Sequence, residues 1–371
     1  MAQKVLVLGL MSGTSLDGID VALIETDGES HVSPVGGGFF PYDRQFREQL
    51  RQALGQKTSR ENPQIAWLEQ ELTKAHARAV LAFLAEREQG APQPELIGFH
   101  GHTLWHNPKD KETFQIGDGA LLAQMTGIDV VHDFRSADVQ AGGQGAPLVP
   151  LYHRALVAEL PKPLAILNIG GVANLTWIAG DKDDEILAFD TGPGNALLDD
   201  WMLEKTGKAY DKDGSFAASG KVDPSHMQLF SFHPYFTRKP PKSLDRDAFM
   251  NFVPTALSDV DGAATLTMMS AYSIAEGLRS LPQTPKAVYL TGGGRHNKTL
   301  VSWIAEKSEL PIHSVDELGW NGDTLEAEAF AYLAVRSIKG LPLSVPTTTG
   351  VPKPMTGGVS VKARTSNKTD R

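Results

Sequence analysis

The chain begins with the stretch Leu6-Val-Leu-Gly-Leu-Met-Ser-Gly-Thr-Ser-Leu-Asp-Gly-Ile-Asp20, an apolar strand that runs into a turn of hydroxyl residues, glycines and aspartates. Glycine lets a backbone approach a phosphate closely, and the N–H and hydroxyl groups of the turn can converge on its oxygens. Asp17 or Asp20 could also hold Mg²⁺. The stretch therefore indicates a phosphate-binding turn, although an ordinary hairpin of this composition is the alternative.

Two later stretches repeat the pattern of an apolar strand followed by glycines. The second is Leu164-Ala-Ile-Leu-Asn-Ile-Gly-Gly-Val-Ala-Asn-Leu-Thr176, and the third is Ala287-Val-Tyr-Leu-Thr-Gly-Gly-Gly-Arg-His-Asn297, which continues into an amphipathic helix. Open N–H groups beside a helix N-terminus favour anions. Each turn alone could be structural, but three of them in one chain indicate a nucleotide site.

Three common motifs do not occur in the sequence. The Walker pattern G-x-x-x-x-G-K-[ST] is absent, so no P-loop lysine reaches the terminal phosphates. The first turn lacks the G-x-G-x-x-G of dinucleotide-binding folds. Asp17 follows Ser15 where a nucleophile elbow requires glycine.

Composition narrows the class of protein. The 371 residues predict about two or three domains, and 41% hydrophobic residues suffice for a real core. A net charge of −9 argues against nucleic acid or an anionic membrane as partner. The absence of cysteine excludes disulfides and Cys-zinc sites, and the N-terminus lacks a cleavable signal pattern. We expect a soluble cytoplasmic protein.

Strand and helix signals suggest a duplicated architecture. Residues 4–10 and 20–25 predict a strand and its antiparallel return, and residues 62–90 predict a helix that begins with Asn-Pro. Residues 140–150 form a glycine and proline loop that we take as a crossing between domains. Because a strand, a glycine turn and a strand open both halves, the chain is expected to contain an internal duplication.

A long helix is expected to close the second half. Asp323 would be its N-cap, Glu326 would complete a capping box, and Gly340 would end it. The last twenty or so residues are polar and rich in glycine, proline and lysine, which suggests a loosely held tail.

Asp190 is the candidate catalytic base. It ends a predicted strand in Phe189-Asp-Thr-Gly-Pro-Gly-Asn195, where a rigid turn would project its carboxylate into a cleft. A carboxylate there could take a proton from an attacking hydroxyl or water. The alternative is an Asx turn that only orders the loop.

A group of histidines follows the strand near residue 99. His100, His102 and His106, with Asp118, His132 and Asp133, could be drawn as a zinc site, but the spacing matches no zinc pattern. A polar pocket for a hydroxylated ligand is preferred, lined by His100, His102, Thr103, Asp118 and Arg135. The basic run of residues 238–246 would either lie near an anionic substrate or form a solvated loop.

The chain resembles the anhydro-N-acetylmuramic acid kinases, within the superfamily of actin, Hsp70 and sugar kinases. The resemblance covers nearly the whole sequence, and its most specific parts are the first turn and the Asp190 block. The other matching motifs are Phe99-His-Gly-His-Thr103, Gln115-Ile-Gly-Asp118, Gly142-Gly-Gln-Gly-Ala-Pro-Leu-Val-Pro150, Asn168-Ile-Gly-Gly171, Tyr210-Asp-Lys-Asp-Gly214, the glycine triplet and Glu326-Ala327.

This resemblance implies an α/β fold of two duplicated actin-like (ribonuclease H-like) domains with a nucleotide cleft between them. The first domain would comprise residues 1–139 and 346–371, and the second residues 140–345. The implied reaction takes 1,6-anhydro-N-acetylmuramic acid, ATP and water to N-acetylmuramic acid 6-phosphate and ADP. A homodimer is also implied.

The resemblance assigns a role to each group of site residues. Asp190 would be the catalytic base, and Asp17 would hold Mg²⁺. The ATP-binding residues would be Gly13, Thr14, Ser15, Leu16, Asp17, Gly18, Ile19, Asp20, Gly170, Gly171, Asn174, Gly292, Gly293, Gly294 and Asn297. The sugar-binding residues would be His100, His102, Thr103, Asp118, Arg135 and Glu326.

The chain departs from the family pattern in two places. The family usually has Gln where this chain has His102, and Thr-Gly where it has Leu244-Asp245. The alternatives to an anhydrosugar kinase are another sugar or acid kinase, an ATP-dependent binding or chaperone-like module, and a metal-dependent hydrolase. The specific motifs favour the anhydrosugar kinase over all three.

Overall fold

The computed structural model describes residues 3–13 and 16–363, which form two compact α/β units. The first unit comprises the described residues up to Ala158 and those from Thr324 onward, and the second is Glu159–Asp323. This division lies about twenty residues from the predicted boundaries at 139/140 and 345/346. The reason is that two helices beside the crossings pack within the first unit.

The first unit is built on a six-stranded sheet. Its strands are β1 Val5–Met11, β2 Gly18–Thr26, β3 Val32–Pro41, β4 Leu96–Phe99, β7 Asp129–His132 and β13 Val359–Val361, and a separate hairpin consists of β5 His102–Asn107 and β6 Glu112–Ile116. Its helices are α1 Arg44–Ala53, α2 Pro63–Ala85, α3 Gly119–Thr126, α4 Ser136–Gln140, α5 Pro150–Leu156, α11 Leu325–Ile338 and α12 Pro346–Thr349.

The second unit is built on a five-stranded sheet. Its strands are β8 Leu164–Ile169, β9 Val172–Ile178, β10 Ile186–Pro193, β11 Val288–Thr291 and β12 Ile312–Ser314. Its helices are α6 Ala196–Thr206, α7 Ser215–Ala218, α8 Pro224–Ser231, α9 Asp259–Arg279 and α10 Lys298–Ser308. The core between sheet and helices is apolar, with Leu167, Phe189 and Ile274 fully buried.

Both sheets have one topology, which confirms the predicted duplication. In the first, β3-β2-β1-β4-β7 runs in that order, with β1, β2 and β3 antiparallel and β1, β4 and β7 parallel. In the second, β10-β9-β8-β11-β12 has the same order and directions. This arrangement is the predicted ribonuclease H-like domain, present twice.

Local sequence accounts for most element boundaries. Asn62 caps α2, its side chain accepts the Gln64 N–H at 3.0 Å, and Pro63 occupies the first turn, as predicted. The helix ends at Ala85 and not near Gly90, because the apolar spacing stops at the polar run that follows.

Helix α11 belongs to the first unit, not to the end of the second half as predicted. It contacts β1, β2 and β4, and the backbone of Ala327 lies directly against Gly9. The expected capping box does not form: Thr324 is the N-cap, without a side-chain capping bond. Asp323 instead binds the guanidinium of Arg295 at 2.6 Å.

The loop of residues 140–150 is also part of the first unit and is not the domain crossing. The buried Asp138 carboxylate accepts hydrogen bonds from the Gly145 N–H at 2.6 Å and the Thr349 hydroxyl at 2.6 Å. The C-terminal segment is tied down as far as it is described, because β13 pairs with β7 and the Ala363 N–H bonds Asp129. Residues 364–371 of the predicted tail lie outside the described residues.

None of the helices found within residues 3–13 and 16–363 has both the length and the apolar composition needed to cross a bilayer.

Gly9 should be essential for stability. A Cβ at this position would lie 1.8 Å from the Ala327 carbonyl oxygen, so α11 and β1 would have to separate. We expect Gly9→Ala to lower the free energy of unfolding by about 3 kcal/mol or more. Urea denaturation measures this. Gly36→Ala on exposed β3, where the nearest atom is 3.9 Å away, is the control; similar losses for both variants would contradict the argument.

Candidate active site

The first glycine turn joins β1 to β2 in the first unit. The Leu16 N–H bonds the Gly13 carbonyl at 3.1 Å, and Leu16 adopts a left-handed conformation. The side chains of Leu16 and Ile19 are buried, so of these two predicted ATP-binding residues only the backbone is open to a ligand. Thr14 and Ser15, also predicted to bind ATP, lie outside the described residues.

Ser12 connects this turn to a tyrosine and a histidine. The Tyr42 hydroxyl donates to Ser12 Oγ at 2.7 Å, and Ser12 Oγ is 3.0 Å from His102 Nδ1. His102 is fully buried, and its Nε2 atom has no partner among the described residues. His102 thus bonds Ser12 beside the first turn, and its predicted contact with the sugar stays a prediction.

The second glycine turn joins β8 to β9, and strand pairing places polar side chains in a row beside it. Asn168, Asn174 and Asp190 lie directly opposite one another on β8, β9 and β10. Thr291 of β11 pairs with Asn168 and continues the row. Directly opposed residues share one face of a sheet, so these four side chains form a polar strip across its end.

The carbonyls of the second turn hold the loop after Asp190. The Asn195 N–H bonds the Gly170 carbonyl at 2.8 Å, and the Gly194 N–H bonds the Gly171 carbonyl at 3.0 Å. Within the described part of the chain, the N–H groups of Gly170 and Gly171 donate to no protein acceptor. They are therefore available to an anion.

The glycine triplet of residues 292–294 packs against the second turn. A Cβ at Gly294 would meet Ile169 at 2.3 Å, whereas Gly293 has open space around it. Gly293 and Gly294 lie within a 3₁₀ turn, Gly293–His296, and α10 begins at Lys298, so the glycines do not lie at the helix N-terminus as predicted. The Asn297 side chain caps α10 by accepting the Leu300 N–H at 2.9 Å, and its predicted contact with ATP stays a prediction.

Asp190 lies on the edge strand β10, next to a bulge. Its Oδ2 atom accepts the Leu244 N–H at 2.7 Å, and no donor among the described residues bonds Oδ1. Burial, with a smaller effect of the Asp245 charge, raises the pKa of Asp190 to about 7. A carboxylate with this pKa and one open oxygen suits a general base.

Three of the predicted sugar-binding residues converge in the first unit. Arg135 donates through Nε and Nη2 to His100 Nε2, at 3.0 and 2.9 Å, and His100 Nδ1 in turn bonds the Gly101 carbonyl. Burial, then the Arg135 charge, lowers the pKa of His100 well below its usual value, so the ring is neutral. Burial lowers the pKa of Arg135 to about 10, and the Glu326 charge opposes this shift.

Besides His102, two further predicted sugar-binding residues have local partners. Asp118 Oδ1 caps α3 by accepting the N–H groups of Ala120 and Leu121. The Thr103 hydroxyl accepts a 3.3 Å bond from Gln115. The structure thus brings His100, Arg135 and Glu326 together, while Asp118 acts as a helix cap.

Asp17 and Asp20 are the carboxylates of the first turn that the sequence offers to Mg²⁺. Among residues 3–13 and 16–363, no three His, Cys, Asp or Glu side chains are grouped to hold a metal. Mg²⁺ in kinases is usually held by one or two carboxylates together with phosphates and water. Asp17 and Asp20 have the donor atoms that this requires, and their assignment to Mg²⁺ stays a prediction. The charges of both act on Tyr42, whose pKa is raised mainly by burial.

The sequence does not predict two contacts that hold the site. Tyr42 bonds Ser12 beside the first turn, and Leu244 bonds Asp190 through its backbone. No local pattern in the sequence indicates a backbone donor that lies 54 positions from its acceptor. The basic run of residues 238–246, predicted to lie near an anionic substrate or to form a solvated loop, therefore contacts Asp190 through its main chain.

Comparison with known proteins identifies the family of the chain. The family model described as anhydro-N-acetylmuramic acid kinase matches residues 5–363. The chain belongs to this family. A relative of that name from Rhizorhabdus wittichii is 52% identical over 361 residues, covering 96% of this chain and 99% of its own. Another from Paramagnetospirillum magneticum is 52% identical over 356 residues, covering 95% and 98%.

The solved structures that resemble this chain have lower sequence identity to it. Component A of the (R)-2-hydroxyglutaryl-CoA dehydratase of Acidaminococcus fermentans gives a TM-score of 0.48 at 12% identity, covering 90% of this chain and 99% of that one. A hexokinase of the ROK family from Thermus thermophilus gives 0.37 at 18% identity, covering 89% and 99%. Family membership makes the chain a sugar kinase, which implies the use of ATP.

Buried neutral histidines should make the kinase sensitive to acid. Burial lowers the pKa of His102 to about 4 from its usual 6.5. Between these values only the unfolded chain binds the proton, so stability is full above pH 6.5 and falls as the pH drops toward 4. At pH 5 the loss is about 2 kcal/mol. His102→Gln should therefore lose less stability between pH 7 and 5 in urea unfolding than the parent; equal losses would refute this.

His100 should determine sugar affinity through Arg135. His100→Leu removes the acceptor of two guanidinium bonds, and we expect the KM for the sugar to rise about tenfold. Steady-state kinetics should show little change in the KM for ATP. His100→Gln, which retains an acceptor, should recover part of the loss. An unchanged KM for the sugar in His100→Leu would contradict this role.

Proposed function

We propose that this kinase cleaves the 1,6-anhydro bridge of 1,6-anhydro-N-acetylmuramic acid and phosphorylates O6, giving N-acetylmuramic acid 6-phosphate and ADP. The reaction would serve peptidoglycan recycling and amino-sugar catabolism in the cytoplasm, and the enzyme would be a homodimer. The observation that carries the proposal is the Asp190 carboxylate, with one oxygen held and the other open, and a pKa of about 7.

The proposed reaction needs one proton acceptor. A water oxygen bonds to the anomeric carbon and gives a proton to Asp190 Oδ1, while the bond from that carbon to O6 breaks. The electron pair left on O6 forms the bond to the γ-phosphorus, and ADP leaves with the electrons of the broken phosphoanhydride bond. A pKa near 7 keeps a large fraction of Asp190 ionised at neutral pH, while its affinity for the proton stays high.

Sugar recognition would come from the first unit. We assign the lactyl carboxylate of the substrate to Arg135, because three of its five N–H groups bond His100 and Gly145 and two remain. Glu326 would accept hydrogen bonds from sugar hydroxyls beside it. The neutral His100 ring fixes the guanidinium and adds no competing charge.

ATP would be held by the three glycine turns. The open N–H groups of Gly170 and Gly171 would supply donors that phosphates need. The first turn is proposed to supply further donors. Asp17, or Asp20 beside it, would hold Mg²⁺, which neutralises charge on the phosphates when it is bound. Gly293 leaves room for the nucleotide to approach the triplet closely.

Replacement of the proposed base should abolish turnover. We expect Asp190→Asn to lower kcat by about 10²- to 10⁴-fold, because the amide cannot accept the proton. ATP binding, followed by calorimetry, should remain. Asp184→Asn, an exposed carboxylate of the same unit, is the matched control. An Asp190→Asn enzyme that turned over at the parent rate would remove Asp190 as the base.

Isotope labelling tests the hydrolytic half. When the kinase acts on the anhydrosugar with Mg-ATP in ¹⁸O-water, we expect one ¹⁸O atom at the anomeric hydroxyl and none in the phosphate ester. Mass spectrometry of the 6-phosphosugar measures this. Phosphorylation without label at the anomeric position would show that the bridge is not opened by water.

A further inference from the structure

The segment that follows the 3₁₀ turn Pro234–Thr237 covers the edge of the second sheet at Asp190. The Asp190 N–H bonds the Lys242 carbonyl at 2.9 Å, and its carbonyl accepts the Tyr235 hydroxyl at 2.5 Å. The Leu244 N–H bonds Oδ2 at 2.7 Å. One segment therefore fixes both the backbone and the carboxylate of Asp190.

Contacts of Lys242 and Arg246 hold this segment in place. The Lys242 ammonium donates to the Tyr235 carbonyl at 3.1 Å and lies 4.4 Å from the centre of the Tyr235 ring. Arg246, beyond it, binds Asp200 of α6 at 2.7 Å. These anchors lie on both sides of Leu244, so its N–H is held toward the Asp190 side chain. The backbone groups of an edge strand are often covered by another segment. Such covering does not require a hydrogen bond to the Asp190 carboxylate, which the Leu244 N–H makes in addition.

We propose that residues 242–244, here called the strap, are a positioning element for the base: the Leu244 N–H holds one carboxylate oxygen so that only the other meets the water. The proposal rests on the proposed function of Asp190.

The N–H is tested by comparing Leu244→Pro with Leu244→Ala. Both lose the side chain, but only proline loses the donor. We expect kcat to be at least about tenfold lower in the proline variant than in the alanine variant, with an unchanged KM for the sugar and unchanged ATP binding. Equal kcat values would overturn the positioning role of the N–H.

The two proposals fail in different ways. A parent enzyme that does not turn over the anhydrosugar removes the proposed function. The strap can then still be tested through the carboxyl ¹³C shift of Asp190, assigned with Asp190→Asn: the pKa of Asp190 should be higher in Leu244→Pro than in Leu244→Ala, because the N–H bond that stabilises the carboxylate has gone. A parent enzyme that is active while the two Leu244 variants have equal kcat values overturns the strap alone.

Discussion

The pairing register of β8, β9 and β10 is the constraint on which the site depends. It places Asn168, Asn174 and Asp190 opposite one another, on one face and at one end of the sheet. A slip of one residue would turn each of these side chains to the other face. The hydrogen bonds from residues 194 and 195 to the Gly170 and Gly171 carbonyls reinforce that register, because they fix the loop after Asp190 to the turn between β8 and β9.

The two copies of the fold carry different side chains at the end of the sheet. At the end of the first sheet, Met11 on β1, Asp20 on β2 and Phe39 on β3 lie opposite one another. At the end of the second sheet, Asn168, Asn174 and Asp190 lie opposite one another. A carboxylate on the third strand occurs only in the second unit, whereas the first has its carboxylate on the second strand, beside the glycine turn. One topology thus presents a candidate metal ligand in one copy and a candidate base in the other.

Much of the fold could be predicted because its signals are local. The β1–β2 and β8–β9 hairpins follow from short apolar runs broken by glycines, and Asn62-Pro63 marks the start of α2. The errors concern contacts between distant parts of the chain. Helix α11 has an ordinary amphipathic pattern, and only the bare backbones of Gly9 and Gly98 show which sheet it packs on. Asp118 and Asn297 have side chains that suit ligands, but the structure uses both as helix caps.

The sequence by itself determined the family, the two hairpins with their glycine turns, and the choice of Asp190 as the candidate base, because each depends on residues close together in the chain. Tertiary structure alone decided how that carboxylate is held and which histidine faces Arg135. The Leu244 N–H reaches Asp190 across 54 positions, and His100 meets Arg135 across 35. Such contacts arise from strand pairing and packing. Every residue except proline has a backbone N–H, so the sequence does not show which residue is the donor.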